Sequence, residues 1–181
     1  MASLATGALA ALPQGGKAAD KAASAKLGLG LFSLPRMLDK DFAGAMEMVA
    51  RLGYQEIETF GPYPFSDPKQ IENWKQVTPS LGFSGSGYFG HTRDEVARIM
   101  QANGLTVPSM HTDIDTLQNG MGPLSDDARA LGATYVTLPA IPADYRKSLD
   151  DYKRTAELFN RIGEDAIRHG VKFGYQITVM A

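Results

Sequence analysis

Cysteine is absent from all 181 residues, which excludes a disulfide framework, Cys-ligated zinc, an iron-sulfur cluster and a thiol nucleophile. Exported proteins can also lack cysteine, so the compartment stays open. No apolar run reaches the roughly 18 residues that a spanning helix requires, so no membrane span is expected. Neither sign of charge dominates: 18 Lys and Arg stand against 20 Asp and Glu, a formal net charge of −2. Nucleic-acid binding therefore has no electrostatic footprint. No cluster of Lys or Arg marks a phosphate site. What is present is ordinary for a folded, water-soluble domain, with 44% hydrophobic and 21% charged residues, and the length fits one domain with a real core.

Residues 1–26 are dominated by Ala, Gly and Ser and lack the periodicity of a packed element. Met1 to Pro13 looks like the apolar part of a secretory signal, and Ala22 to Ala25 like a small-residue cleavage region. The basic stretch that should come first is missing, since the first positive charge is Lys17. One reading is a leader or signal-peptide remnant whose true start lies upstream, giving a periplasmic or exported protein. The other is a flexible low-complexity tail, giving a cytoplasmic protein if the start is real. The folded domain is taken as 27–181.

From Leu27 strands and helices alternate. Leu27 to Leu34, Glu56 to Phe60, Val107 to Ile114, Tyr135 to Leu138 and Val171 to Tyr175 read as five strands. Four main helices are expected between them. The first carries Phe42, Ala45, Val49 and Leu52 at helical spacing and closes at Gly53. The second opens with a capping box, Thr92 and Glu95, after a long loop. The third is short, Ser125 to Leu131. The fourth, Ser148 to His169, has the apolar stripe Leu149, Tyr152, Ala156, Phe159, Ile162 and Ala166 and ends at Gly170. This alternation implies a parallel sheet, either doubly wound or part of a (β/α)8 barrel. Five strands cannot close such a barrel, and open sheet edges favour self-association or aggregation.

Gly85, Gly87 and Gly90 spell G-x-G-x-x-G, with Asp113 a little over twenty residues on. A dinucleotide fingerprint needs a strand running into the first glycine. Pro79 and Gly82 break any strand there. The alternatives are a small nucleotide-binding module using Gly85 to Gly90 and a flexible loop lying over a pocket.

Of the three histidines, His169 suits a helix C-terminus and His91 a surface loop. His111 is different. Alternation puts Val107, Ser109, His111 and Asp113 on one strand face, with His111 and Asp113 near the C-terminal end, where parallel α/β folds bind ligands. The competing readings are a hydrogen-bonded core histidine and a loop-capping Asp113. Glu56 and Glu58 share a face of the second strand, with Glu58 nearer the ligand end. Glu58 suits sugar hydroxyls or a base, or else a solvated strand end. Trp74 and Tyr88 suit stacking on a sugar or packing the loop down.

The segments LGLGLFSLPRML, DFAGAMEMVARLGYQEIETFG, EVARIMQANGLTVPSMHTDI, ARALGATYVTLPAI and VKFGY resemble, in order, the sugar phosphate isomerase/epimerase family of xylose isomerase-like TIM barrels. The similarity runs from about Leu27 to Tyr175. It implies a partial (β/α)8 barrel of about five parallel strands and four main helices. In the full-length family it implies a divalent metal that assists proton transfer next to a sugar carbonyl. The implied partner is a small sugar or sugar derivative. Glu58 and His111 match substrate-contacting positions. Family metal ligands come from later strands, and Gln176 occupies the first-ligand position with a neutral amide, so no metal is expected on this chain and it is expected to be catalytically silent. A metal-dependent endonuclease for abasic DNA shares the fold, but the acidic charge balance argues against it. A noncatalytic partner protein is a third reading. The tail Gln-Ile-Thr-Val at 176–179 is what loss of one base from codons for His-Asn-His-Gly would give. The expectation is therefore a frameshift, checked by the coding DNA: no continuation in the other frame would refute it.

Overall fold

The computed structural model describes residues 26–176. The leader expected over 1–26 lies, save Lys26, outside the described residues, as does the tail 177–181. Five strands form one parallel sheet: β1 (Gly28–Gly30), β2 (Glu56–Phe60), β3 (Thr106–His111), β4 (Tyr135–Leu138) and β5 (Lys172–Tyr175). Their order in the sheet is their order in the chain, β1-β2-β3-β4-β5. A doubly wound sheet would reverse direction at a switch point. Sequential order with right-handed crossovers instead places every covering helix on one face and leaves the other as an inner wall. The sheet is therefore a partial α/β barrel, as the family resemblance implied.

Seven α-helices join the strands: α1 (Pro35–Lys40), α2 (Phe42–Arg51), α3 (Pro68–Leu81), α4 (Arg93–Ala102), α5 (Ile114–Asn119), α6 (Met121–Leu131) and α7 (Leu149–Arg168). The expected four correspond to α2, α4, α6 and α7. The sequence reading missed α1, α3 and α5. In α3 the signal was hidden by Pro79, which has no N–H to give the Lys75 carbonyl. The Thr78 hydroxyl donates to that carbonyl at 3.1 Å and fills the gap. Asp67 caps α3 by accepting from the Lys69 N–H at 2.9 Å, and Pro68 fits its first turn. The first strand also proves shorter than its apolar run, because residues 31–33 turn into a 3-10 helix ahead of α1.

The capping box at α4 forms as expected: Thr92 takes the Glu95 N–H while the Glu95 carboxylate takes the Thr92 N–H. The core lies between the helices and the outer sheet face, where Ile57, Met110 and Val136 are fully buried with Met46, Val96 and Leu124. Two stripe assignments need correction. Leu52 is 65% exposed, and α2 buries Met46 beside Phe42, Ala45 and Val49. In α7, Leu149 is 72% exposed and Tyr152 is exposed. Ile162 and Ala166 of the expected stripe are buried and Phe159 packs against the core, while in the N-terminal half Thr155 is buried in place of the exposed Ala156, and the Thr155 hydroxyl is satisfied by the Tyr145 carbonyl at 2.8 Å.

Strand β3 corrects a further expectation. Its register against β2 slips by one residue between the pairs Glu56 with Thr106 and Glu58 with Ser109. This bulge turns Val107 into the helix-covered core, 2% exposed, while Ser109 and His111 keep the inner face. Simple alternation had put all three on one side.

Candidate functional site

The inner face carries its chemistry at the C-terminal strand ends, where the loops leave a cavity of about 1020 Å³. Glu58 is its hub. The Ser109 hydroxyl donates to Oε2, and the Thr137 hydroxyl lies 3.4 Å from the same oxygen. His111 Nε2 lies 2.9 Å from Oε1, and the Gln176 amide donates to that oxygen at 3.4 Å. Side chains of β2, β3 and β4 and the residue after β5 thus meet on one carboxylate. The reason is register: Glu58 pairs with Ser109, Phe60 with His111, His111 with Thr137 and Thr137 with Gly174.

Burial alone would raise the Glu58 carboxyl. His111, Ser109 and Thr137 outweigh it and hold the carboxyl below its ordinary value. A depressed carboxyl stabilises the fold above its unfolded value near 4.5, and that contribution is lost as pH falls through the lower folded value. We therefore expect the stability gap between wild type and Glu58→Gln to shrink below pH 4.5 in urea titrations. A gap that widens in acid would contradict this. His111 approaches Glu58 away from its N–H direction, so the buried Nε2 has no well-aligned partner among the described residues.

The expected substrate contacts, Glu58 and His111, are brought together. Asp113 is not free for one: it caps α5, accepting from the N–H and the hydroxyl of Thr116, each at 2.7 Å. Replacing Asp113 with Ala is expected to lower stability by about 1 kcal/mol in urea unfolding while affinity for a ligand of the cavity changes less than about twofold, below the worth of one lost hydrogen bond. A large affinity loss would make it a ligand contact. Glu56 faces Lys26 at 3.4 Å, and His169 closes α7 with Nδ1 2.9 Å from the Asp165 carbonyl.

Trp74 lies on α3 and lines the cavity. It is held by its indole N–H on the Ser84 carbonyl at 3.0 Å and packs against Phe60 and Phe83. Sequence reading missed Gln70, Asn73 and Val77 of the same helix, and Phe32, all of them cavity walls. It also missed Thr137. The missing signals were α3 itself and the strand register.

The Gly85 to Gly90 loop follows α3 and not a strand. Its first amides are spent within the fold: Ser84 and Gly85 donate to the Asp39 carboxylate at 3.1 and 2.9 Å. Gly87, at φ +58, lets the chain pass where a Cβ would sit 2.8 Å from the Pro62 carbonyl. Tyr88 is 4% exposed, and its hydroxyl donates to Asp127 at 2.6 Å. Gly85 and Gly87 serve close packing and Gly90 a left-handed turn at φ +82, and the loop expected to lie flexibly over a pocket is packed down.

The resemblance implies a divalent metal in the full-length family. Among the described residues, no three His, Asp or Glu side chains converge on one point that could hold an ion. Glu58 and His111 supply two donors, and Gln176 adds only a neutral amide. These residues by themselves do not fit a metal centre.

No family model matches the chain, and no curated protein matches it. Solved structures do. A sugar phosphate isomerase/epimerase from Parabacteroides distasonis ATCC 8503 superposes with a TM-score of 0.60 at 22% identity, covering 83% of this chain and 50% of that one. The IolI protein with a bound zinc atom gives a TM-score of 0.52 at 16% identity, over 83% of this chain and 51% of that one. An AP endonuclease of family 2 from Brucella melitensis gives 0.52 at 11% identity, over 83% and 55%. The chain has the fold of these α/β barrels and spans about half the length of the structures it matches. The resemblance to sugar phosphate isomerase/epimerases read from the sequence is thus met in the fold, which also serves more than one chemistry.

Proposed function

We propose that residues 26–176 form the substrate-binding wall of a sugar isomerase/epimerase-type barrel, with Glu58 and His111 contacting a small sugar or sugar derivative. The observation that carries this is the convergence of Glu58, Ser109, His111 and Thr137 at the ligand end of the sheet. A carboxylate and an imidazole 2.9 Å apart can accept from and donate to neighbouring hydroxyls. Metal-assisted proton transfer next to a sugar carbonyl is proposed for the whole barrel. The described residues lack a converging metal-ligand set, so we propose that this chain alone binds without turnover. Export rests on the composition of residues 1–26 and belongs to the same proposal.

The test uses the single tryptophan of the sequence, Trp74, as a reporter on the cavity wall. Titration of the full chain with myo-inositol or methyl glucoside is expected to change its fluorescence saturably, and His111→Ala is expected to weaken the response. A flat titration confirmed by calorimetry would sink the reading. Incubation of the full chain with a free ketose, with or without added Mn²⁺, followed by NMR, tests turnover: epimerised ketose would sink the silent part alone. Among the described residues the outer edges of β1 and β5 have no strand partner, which favours self-association as part of this reading. A concentration-independent monomer on size exclusion would remove that part.

A further inference from the structure

Building on that sugar-binding reading, we infer that the ligand is a neutral, unphosphorylated ring polyol, a pyranose or cyclitol, and not a sugar phosphate. Three independent features lead there.

The cavity wall carries both kinds of group. Phe32, Trp74, Val77 and Leu138 line it, with Phe32 54% and Val77 46% exposed, and so do Glu58, His111, Gln70 and Asn73. Apolar side chains interleaved with donors and acceptors fit a ring that shows C–H groups as well as hydroxyls. An extended polyanion would waste the apolar surface.

The charge is wrong for phosphate. Among the described residues that line the cavity there is no Lys or Arg, while Glu58 and Asp113 are present. Phosphate recognition ordinarily uses Arg or Lys in charge-assisted contacts. The basic residues of the following loop are turned elsewhere: Arg146 donates to the Ile141 carbonyl at 2.8 Å, and Lys147 pairs with Asp144 at 2.6 Å.

At α3 and α5 the backbone alternative is closed. A helix N-terminus can hold a phosphate without any basic side chain. Here α3 is capped by the Asp67 carboxylate and α5 by the Asp113 carboxylate. Asp113 lines the cavity, and Asp67 lies three residues before Gln70, the first cavity-lining residue of α3. The amides of both first turns already have an anion, so a phosphate at either would have to displace a tethered carboxylate.

The test compares matched probes by Trp74 fluorescence on the full chain, with calorimetry for any silent binding: myo-inositol against myo-inositol 1-phosphate, and methyl glucoside against glucose 6-phosphate, at low ionic strength. The neutral member of each pair is expected to bind about tenfold tighter or more, the size of one charge-assisted contact missing or reversed in sign. Phosphates that bind as tightly as the neutral probes, or tighter, would overturn this inference and leave the sugar-pocket reading standing. If no member of either pair binds by either method, the sugar-pocket reading itself fails and takes the inference with it.

Discussion

Removing the Glu58 carboxylate by Glu58→Ala is expected to weaken binding of a neutral sugar about 30-fold, equivalent to about 2 kcal/mol. Two losses combine. The ligand loses a charged acceptor, and hydrogen bonds to charged groups are worth more than neutral ones. His111, Ser109, Thr137 and Gln176 also lose the oxygens that position them. Glu58→Gln keeps the shape but removes the charge, so it should fall between wild type and alanine. Urea unfolding at neutral pH should show that Glu58→Ala still folds, because the side chain lies on the inner wall and not in the core. Wild-type affinity in a folded Glu58→Ala protein would dissociate the carboxylate from the site.

The neighbouring position should behave in the opposite manner. Ile57 is 0% exposed and points into the helix-covered core. Ile57→Ala is expected to cost about 3 kcal/mol of stability, the sum of lost transfer free energy and the cavity left behind. Typical domains hold only about 5 to 15 kcal/mol in total, so the urea midpoint should fall sharply. Where the variant remains folded, its sugar affinity should stay close to wild type. Adjacent residues on one strand would then report two separate faces, core outside and site inside. Equal effects of the two substitutions on stability would contradict that division of the sheet.

Much of this was legible from residue order. All five strands fall on the segments read as strands, the first over only part of its apolar run, and Thr92 with Glu95 announced α4 unaided. The open choice between a doubly wound and a barrel-type sheet was settled by strand order, which no local pattern carries. Helix α3 was hidden because Pro79 and Gly82 read as breakers. Proline near a helix end is tolerated when, as with Thr78, a side chain takes over the orphaned carbonyl. At the site, Glu58 and His111 were found by strand alternation and position. Their meeting depends on a one-residue bulge, and the same bulge defeated the placement of Val107. Asp113 looked like a site residue because a cap and a ligand use the same chemistry at a strand end. Trp74 was identified, but its role as a wall needed the helix that carries it.

The most direct test of the account is a chemical-shift map of the isotope-labelled full chain titrated with myo-inositol. Saturable shifts are expected at the Trp74 indole, the His111 ring and the Gln70 and Asn73 side-chain amides, with Val49, Val96 and Leu124 of the helix-covered core unmoved. Shifts confined to the helix-covered face, or none at the inner wall up to saturating sugar, would contradict the claim that the inner wall is a sugar site.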